Sequence, residues 1–342
     1  MRDPTDVVDR TPYDVIYSRD KLSVRRYRAL TADDTWQLGT EEFEVRARKQ
    51  TLPVLLIPPL MVQPFIFDLT HRRSLVRTLL REGFDVYLVD FGTPGPEDRA
   101  LGLDTYVLEW LPEAVTAACK AAGTQSIALY GYCMGGMFAL MHTSVNRDAR
   151  VKAIVTIGSP VDAHKMGVVS WLVRVGHPQI EYVSKKLGNS PGPISSTAFK
   201  LTSPVKSLTR YSDLFLNMWN DDYVKSFDAV SAWTGNFIDY PAEAFQQVLG
   251  DFMKDNKLKD GRMTFGGETA DLSRITCPIL SFAGKTDKVV SKRAVREVMD
   301  VIGSEDKTFV VAPGGHMGVF AGRDAPRLVW AVSVKWLAER SS

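Results

Sequence analysis

The stretch Leu129-Tyr130-Gly131-Tyr132-Cys133-Met134-Gly135-Gly136 constrains the fold more than any other part of the chain. The apolar run from Ser126 to Tyr130 before it suits a buried strand. The residues from Met137 to His142 after it are good helix formers. A nucleophilic side chain between two glycines, at a strand-to-helix junction, matches the nucleophile elbow. The pattern therefore predicts that Cys133 is presented above a β-sheet.

The elbow explains why glycines flank the cysteine. The turn is tight and strained, so Gly131 and Gly135 must do without a Cβ. The backbone amide of Met134, at the start of the following helix, is directed at the space beside Cys133. This amide and the positive helix end can stabilise a thiolate or an oxyanion. Cysteine in place of the usual serine predicts a thioester intermediate.

Composition excludes several classes of protein. The 342 residues include 42 basic and 40 acidic side chains, which does not favour nucleic-acid binding. Three cysteines give neither a disulfide framework nor metal-ligand spacing, so we expect a reducing, cytoplasmic environment and no metal. The charged segment Met1 to Arg10 predicts no signal peptide. No apolar run reaches the ~20 residues of a membrane span.

Apolar runs alternate with helical patterns through the first half of the chain and again at the end. This alternation predicts an α/β fold whose mostly parallel sheet is covered by helices on both faces. The predicted strands are Val54–Ile57, Phe84–Val89, Ser126–Tyr130, Val151–Ile157, Pro278–Ala283 and Lys307–Val311. Tyr13 to Tyr27 reads as an antiparallel hairpin at one edge, and Asp68 to Gly83 as a helix.

The alternation stops between Pro160 and Asp271, where the sequence is rich in aromatic residues. We interpret residues 160–271 as a mainly helical cap inserted into a core made of residues 1–159 and 272–342. A separate domain is the alternative, but the return of an α/β pattern afterwards favours an insertion. Cap aromatics that could line a pocket are Trp171, Tyr182, Tyr211, Phe215, Trp219, Tyr223, Trp233, Phe237, Tyr240, Phe245 and Phe252.

A nucleophile, an acid and a histidine follow one another as Cys133, Asp287 and His316. This is the chain order of an α/β-hydrolase triad. His316 can take the thiol proton, and Asp287 can fix the tautomer of its ring. Asp162 is the rival acid, and Asp90 has a weaker claim. Asp287 alone could equally form a simple Asx turn.

The remaining candidates have supporting or structural roles. The second oxyanion amide should come from the loop after Ile57, either from Met61 or from Val62, and would act with the amide of Met134. The other histidines and cysteines read as packing, surface or structural residues, namely His71, His142, His164, His177, Cys119 and Cys277.

These residues carry a resemblance that runs through nearly the whole chain. The Cys elbow, the Gly314-Gly315-His316-Met317-Gly318 loop, Leu103-Asp104-Thr105-Tyr106 and Gly83 to Leu88 resemble polyhydroxyalkanoate synthases. The resemblance is strongest to the short type of catalytic subunit, which works with an accessory subunit. Val62 and Phe65 depart from the family pattern, since Asn and Tyr are usual there.

The resemblance implies an acyltransferase that polymerises 3-hydroxyacyl-CoA and releases coenzyme A. Cys133 would carry the acyl group, His316 would be the base, and Asp287 would also assist activation of the attacking 3-hydroxyl. No cofactor is expected beyond the CoA substrate, whose contacts the sequence does not assign. We expect a homodimer without nucleic acid, an accessory synthase subunit as partner, and a cytoplasmic location that includes the polyester granule surface.

Two other functions stay open on the sequence. One is a thioesterase or polyester depolymerase of the same fold with Cys133 as nucleophile. The other is a non-catalytic protein of the granule surface. Incubation with 3-hydroxybutyryl-CoA separates the two enzymes, because coenzyme A release with insoluble product supports the synthase and free acid supports the hydrolase. Unchanged coenzyme A release after Cys133→Ala would count against both enzymes.

Overall fold

The computed structural model describes residues 11–31, 36–38, 41–43, 49–71, 73–167, 170, 171, 173–176, 188–193, 196, 197, 219 and 221–341. Its strands, in chain order, are β1 (Tyr13–Arg19), β2 (Leu22–Tyr27), β3 (Trp36–Leu38), β4 (Glu41–Phe43), β5 (Val54–Ile57), β6 (Asp68–Thr70), β7 (Arg73–Ser74), β8 (Val86–Asp90), β9 (Ile127–Tyr132), β10 (Val151–Ile157), β11 (Thr264–Phe265), β12 (Glu268–Thr269), β13 (Ile279–Gly284) and β14 (Lys307–Ala312).

Eight of these strands form one sheet in the order β1-β2-β8-β5-β9-β10-β13-β14. The hairpin β1–β2 and the pair β2–β8 are antiparallel, and every pair from β8 to β14 is parallel. All residues of β5, β9 and β13 are buried. Such continuous apolar runs are what a parallel sheet covered on both faces requires. The predicted edge hairpin and the predicted mostly parallel sheet are confirmed.

The helices cover this sheet. They are α1 (Leu75–Arg81), α2 (Leu111–Ala122), α3 (Met134–Asn146), α4 (Asp221–Gly235), α5 (Ala242–Gln247), α6 (Lys292–Arg296), α7 (Val298–Val301), α8 (His316–Ala321) and α9 (Ala331–Ala338). Wider π-helical turns at Thr105–Trp110, Val248–Lys254 and Pro326–Trp330 extend α2, α5 and α9. Among the described helices, none combines the length and the apolar composition that a bilayer-spanning helix needs.

The helix predicted over 68–83 begins later than the sequence pattern indicates. The chain first forms the short strands β6 and β7, and α1 starts only at Leu75. The Asp68 carboxylate accepts hydrogen bonds from the Thr11 amide (2.7 Å) and hydroxyl (3.1 Å), which ties this stretch to the start of the described chain. Ser74 then caps the helix by accepting from the Arg77 amide at 2.9 Å.

Between β10 and β13, the described residues contribute no strand to the main sheet, and these two strands pair directly with each other. The end of α4 and the segment after it lie against the loop that follows β5. Ile238 N donates to Met61 O (3.1 Å), and the Trp233 indole donates to Gln63 O (2.9 Å). The division at residues 160–271 stays a prediction. His177, Tyr182, Tyr211 and Phe215 lie outside the described residues.

Candidate active site

Cys133 stands at the junction of β9 and α3, as the sequence predicts. Its backbone has φ 52° and ψ −119°, and the helix begins at the next residue. A non-glycine residue with positive φ is uncommon, and such strain is concentrated at functional sites. The Cys133 amide donates to Ile157 O at 2.8 Å, which fixes the turn against the neighbouring strand β10. The Cys133 residue itself is partly exposed.

Three glycines make this turn sterically feasible. A Cβ on Gly131 would lie 2.3 Å from Gly136 N, and one on Gly135 would lie 1.9 Å from Ile57 O. These contacts confirm that both flanking positions must be glycine. A Cβ on Gly136 would lie 2.1 Å from the Ser159 hydroxyl oxygen. Gly136 has no predicted role, although the adjacent pair of glycines is visible in the sequence.

His316 and Asp287 meet beside Cys133, at the carboxyl ends of the parallel strands. His316 Nδ1 lies 2.8 Å from Asp287 Oδ2, and the Asp287 side chain is fully buried. The other carboxylate oxygen, Oδ1, accepts from the amides of Val289 and Val290, both at 2.8 Å. Asp287 therefore forms the Asx turn and the histidine contact at once. The two interpretations that the sequence left open are compatible.

The surroundings of His316 raise the pKa of its ring. Burial acts to lower the pKa of His316, but the charge of a Cys133 thiolate and hydrogen bonds with Asp287 and Cys133 outweigh it and raise this pKa to about 10. The imidazole is thus in hydrogen-bond contact with the sulfur as well as with the carboxylate. A raised pKa makes the imidazole a stronger base toward the thiol.

The His316 loop is fixed by close packing. The Tyr132 hydroxyl donates to His316 O at 3.2 Å, and the two ring centroids are 5.4 Å apart. On another side, a Cβ on Gly158 would come within 3.3 Å of the imidazole Cε1, at a backbone φ of 59°. The ring therefore has little freedom to leave the Asp287 carboxylate. No pattern in the sequence indicates this role of Tyr132.

The amides proposed for the oxyanion lie in two neighbouring segments. Met134 is the first residue of α3, and the loop of Met61 and Val62 follows β5, which pairs with β9. In the described part of the chain, none of these three amides donates a hydrogen bond to a protein acceptor. They are thus available as donors, and their role in stabilising an oxyanion stays a prediction.

Known proteins resemble this chain in both fold and sequence. The family model described as alpha/beta hydrolase fold matches residues 64–322, which confirms the predicted fold. The poly(3-hydroxyalkanoate) polymerase subunit PhaC of Allochromatium vinosum is 32% identical over 334 residues, 96% of this chain and 89% of that protein. The chain belongs to the poly(3-hydroxyalkanoate) polymerase family.

Other comparisons agree with this membership. The polymerase subunit PhaC of Haloarcula marismortui is 31% identical over 337 residues, which is 98% of this chain and 69% of that protein. The monoacylglycerol lipase of Paleococcus ferrophilus has a TM-score of 0.54 and 17% identity, over 87% of this chain and 100% of that one. That likeness shows the fold alone. Membership in a polymerase family confirms the prediction of an enzyme.

The rival acids of this polymerase-family chain serve other contacts. Asp162 accepts from the Asn256 amide group (2.8 Å) and from His164 N (3.0 Å) at the start of a short helical turn. Asp90 pairs with Arg25 and accepts from Gly92 N at 2.9 Å. Of the three acids considered, Asp287 alone contacts His316.

The other histidines and cysteines that the structure describes have structural surroundings. His142 is buried with its Nδ1 3.0 Å from the Asn146 amide group, His164 Nε2 lies 2.8 Å from Lys254 O, and His71 contacts Arg77. Burial raises the pKa of Cys119 and raises the pKa of Cys277 to about 11. Within the described ranges, no group of three or more His, Cys, Asp or Glu residues could hold a metal ion.

Proposed function

We propose that the protein is an acyltransferase that polymerises 3-hydroxyacyl-CoA into polyhydroxyalkanoate, with release of coenzyme A, through a thioester on Cys133. One observation carries this proposal. The elbow residue is a cysteine, and its sulfur is in hydrogen-bond contact with an imidazole that is itself held by a buried carboxylate. The names of the relatives support polyester formation as the reaction.

Acylation begins with proton transfer from the Cys133 thiol to His316 Nε2. The thiolate attacks the thioester carbonyl of the substrate, and the resulting oxyanion accepts from the Met134 amide and from Met61 or Val62. The carbon–sulfur bond to coenzyme A breaks. The leaving thiolate takes its proton from the imidazolium, which leaves a 3-hydroxyacyl group on Cys133.

Chain growth then requires attack by a 3-hydroxyl on a thioester. His316 takes the hydroxyl proton, a new ester bond forms, and the displaced sulfur is protonated. Both oxygens of Asp287 are already engaged, one by His316 and the other by two backbone amides. This geometry favours orientation of the ring as the role of Asp287 over direct removal of the hydroxyl proton.

A cysteine suits this cycle better than a serine. Exchange of one thioester for another is nearly isoenergetic, so the acyl group can pass from coenzyme A to Cys133 and onward. Water must be kept from the intermediate. Tyr240, from the segment predicted to be the cap, contacts the elbow by donating to the Met134 sulfur at 3.0 Å.

The test is incubation with 3-hydroxybutyryl-CoA. We expect coenzyme A release together with insoluble polyester, and we expect Cys133→Ala to abolish both because the covalent route is lost. Release with free 3-hydroxybutyrate would indicate the thioesterase or depolymerase instead. Release that is unchanged in Cys133→Ala would contradict the proposal. A far-ultraviolet spectrum equal to that of the native chain is the control for folding.

The expected partners and location belong to the same proposal. They are an accessory subunit, a second copy of the chain and the granule surface, and all stay predictions. Adding a purified accessory subunit of a related polymerase to the assay would show whether this chain depends on one.

A further inference from the structure

Tyr240 places a phenol hydroxyl beside the candidate nucleophile. The side chain is buried (1% exposed) and comes from the segment between α4 and α5. Its hydroxyl donates to the sulfur of Met134 at 3.0 Å, and Met134 directly follows Cys133 in the elbow. A polar group from the segment predicted to be the cap thus lies over the elbow.

The partner of this hydroxyl is a weak one. A thioether sulfur is a poor hydrogen-bond acceptor, and a buried hydroxyl without a good acceptor carries an energetic penalty. Tyr240 belongs to the apolar core on one face of the sheet, which also contains the buried side chains of Leu60, Phe91, Met137, Leu249 and Phe252. An oxygen atom of an acyl group that entered here would be a better acceptor than the sulfur.

Contacts of the Tyr240 backbone and ring fix the position of the hydroxyl. Tyr240 and Ser190 exchange two backbone hydrogen bonds of 2.9 Å, and the Tyr240 ring packs edge-on against Phe245 at 5.5 Å. Two residues earlier, Ile238 N donates to Met61 O in the loop expected to supply the second oxyanion amide. The position of Tyr240 is therefore set by backbone contacts, not by its bond to Met134.

The charge state of the phenol fits a donor role. Burial, followed by the nearby Tyr106 and Cys133, raises the pKa of Tyr240 well above its ordinary value. The hydroxyl consequently stays protonated at neutral pH. The contribution of Cys133 is also consistent with a phenol close to the sulfur that would carry the acyl group.

We propose that Tyr240 is a specificity-determining residue that donates a hydrogen bond to the 3-hydroxyl oxygen of the acyl group bound at Cys133. The inference rests on the proposed function. When substrate binds, the phenol exchanges the Met134 sulfur for this oxygen. The 3-hydroxyl keeps its own proton, which remains available to His316 for the following ester-forming step.

The expected selectivity is modest for a structural reason. When an acyl group without the 3-hydroxyl binds, Tyr240 retains the Met134 sulfur and is not left unpaired. Discrimination then reflects only the difference between an oxygen and a sulfur acceptor. We expect it to be about fivefold, far below the factors reached when a buried donor loses every partner.

The test compares single-turnover coenzyme A release from 3-hydroxybutyryl-CoA and from butyryl-CoA. The ratio of the two rates should fall about fivefold in Tyr240→Phe. It should rise in Met134→Leu, since the phenol then has no sulfur to return to. Tyr130→Phe is the matched control, because this buried phenol bonds to Ser333 at 3.0 Å instead and should leave the ratio unchanged.

Failure of the Tyr240 role and failure of the proposed function give different results. A ratio in Tyr240→Phe within twofold of the native value, or an equal fall in Tyr130→Phe, overturns the role of Tyr240 alone. A lower ratio in Met134→Leu does the same. If the native chain forms no acyl-enzyme from 3-hydroxybutyryl-CoA, the proposed function fails and the inference fails with it. A general loss of folded protein lowers both release rates equally, so it leaves their ratio unchanged.

Discussion

Replacing Asp287 with asparagine should reverse the tautomer of His316 without changing the shape of the site. The oxygen of the new amide will keep the position of Oδ1, because two backbone N–H groups, those of Val289 and Val290, point at it from 2.8 Å. The NH₂ group must then face His316 Nδ1, 2.8 Å away in the native chain. Nδ1 becomes an acceptor, the proton moves to Nε2, and the ring can no longer take the thiol proton.

The size of the effect follows from this geometry. An enforced wrong tautomer in a triad costs about 10³- to 10⁴-fold in rate, equivalent to about 4 to 5.5 kcal/mol of transition-state stabilisation. We therefore expect acylation of Cys133 in Asp287→Asn to slow by that factor. The assay is rapid-quench measurement of coenzyme A release in the first turnover. Substrate binding, measured separately on Cys133→Ala with and without Asp287→Asn, should change little.

Asp162→Asn is the matched control. Its Oδ1 also accepts two hydrogen bonds, from Asn256 and from His164 N, which an asparagine oxygen can retain. Its Oδ2 lies 3.2 Å from the partly exposed Lys165 ammonium, a contact of little energetic weight. We expect a change of less than about threefold. A loss below tenfold in Asp287→Asn, or an equal loss in Asp162→Asn, would refute the reasoning.

Two further predictions concern the fold around the site. Gly135→Ala should lower the melting temperature by several degrees, since its Cβ would overlap Ile57 O, whereas Gly235→Ala meets no atom within 4 Å and should be neutral by the same calorimetry. Because the folded chain raises the pKa of His316, protonation of this ring should stabilise the fold. The stabilisation should be complete below pH 6.5, the ordinary pKa of the ring, and should be lost as the pH rises through about 10. The melting temperature of the native chain relative to His316→Gln should fall across that range, and a constant difference would contradict the assigned charge.

The elbow and the acid–base pair were predictable because each has a local signal. Cys133 stands between glycines at a strand end, and steric contacts as short as 1.9 Å explain why those positions carry no side chain. Asp287 follows the buried strand β13 and His316 follows the outermost strand β14, and parallel strands bring their carboxyl ends to one edge of the sheet. The strand-end positions and the chain order together therefore predicted that the acid and the base meet.

The contacts of the cap segment were not predictable in the same way. The position of Tyr240 depends on a backbone pairing with Ser190, 50 residues earlier, which leaves no periodic pattern in either segment. The late start of α1 has a similar cause. Thr11 binds Asp68 across 57 positions of the chain, and this contact overrides a helical pattern that looked continuous. Long-range polar contacts of this kind have no signature in a single sequence.

The most direct test of the account is the mass of the protein after mixing with 3-hydroxybutyryl-CoA. We predict a 3-hydroxybutyryl adduct within the first turnover, located by peptide mapping on Cys133, that disappears as polyester forms. Adduct on Cys119 or Cys277, or polyester formation by Cys133→Ala, would contradict the claim that this sulfur carries the growing chain.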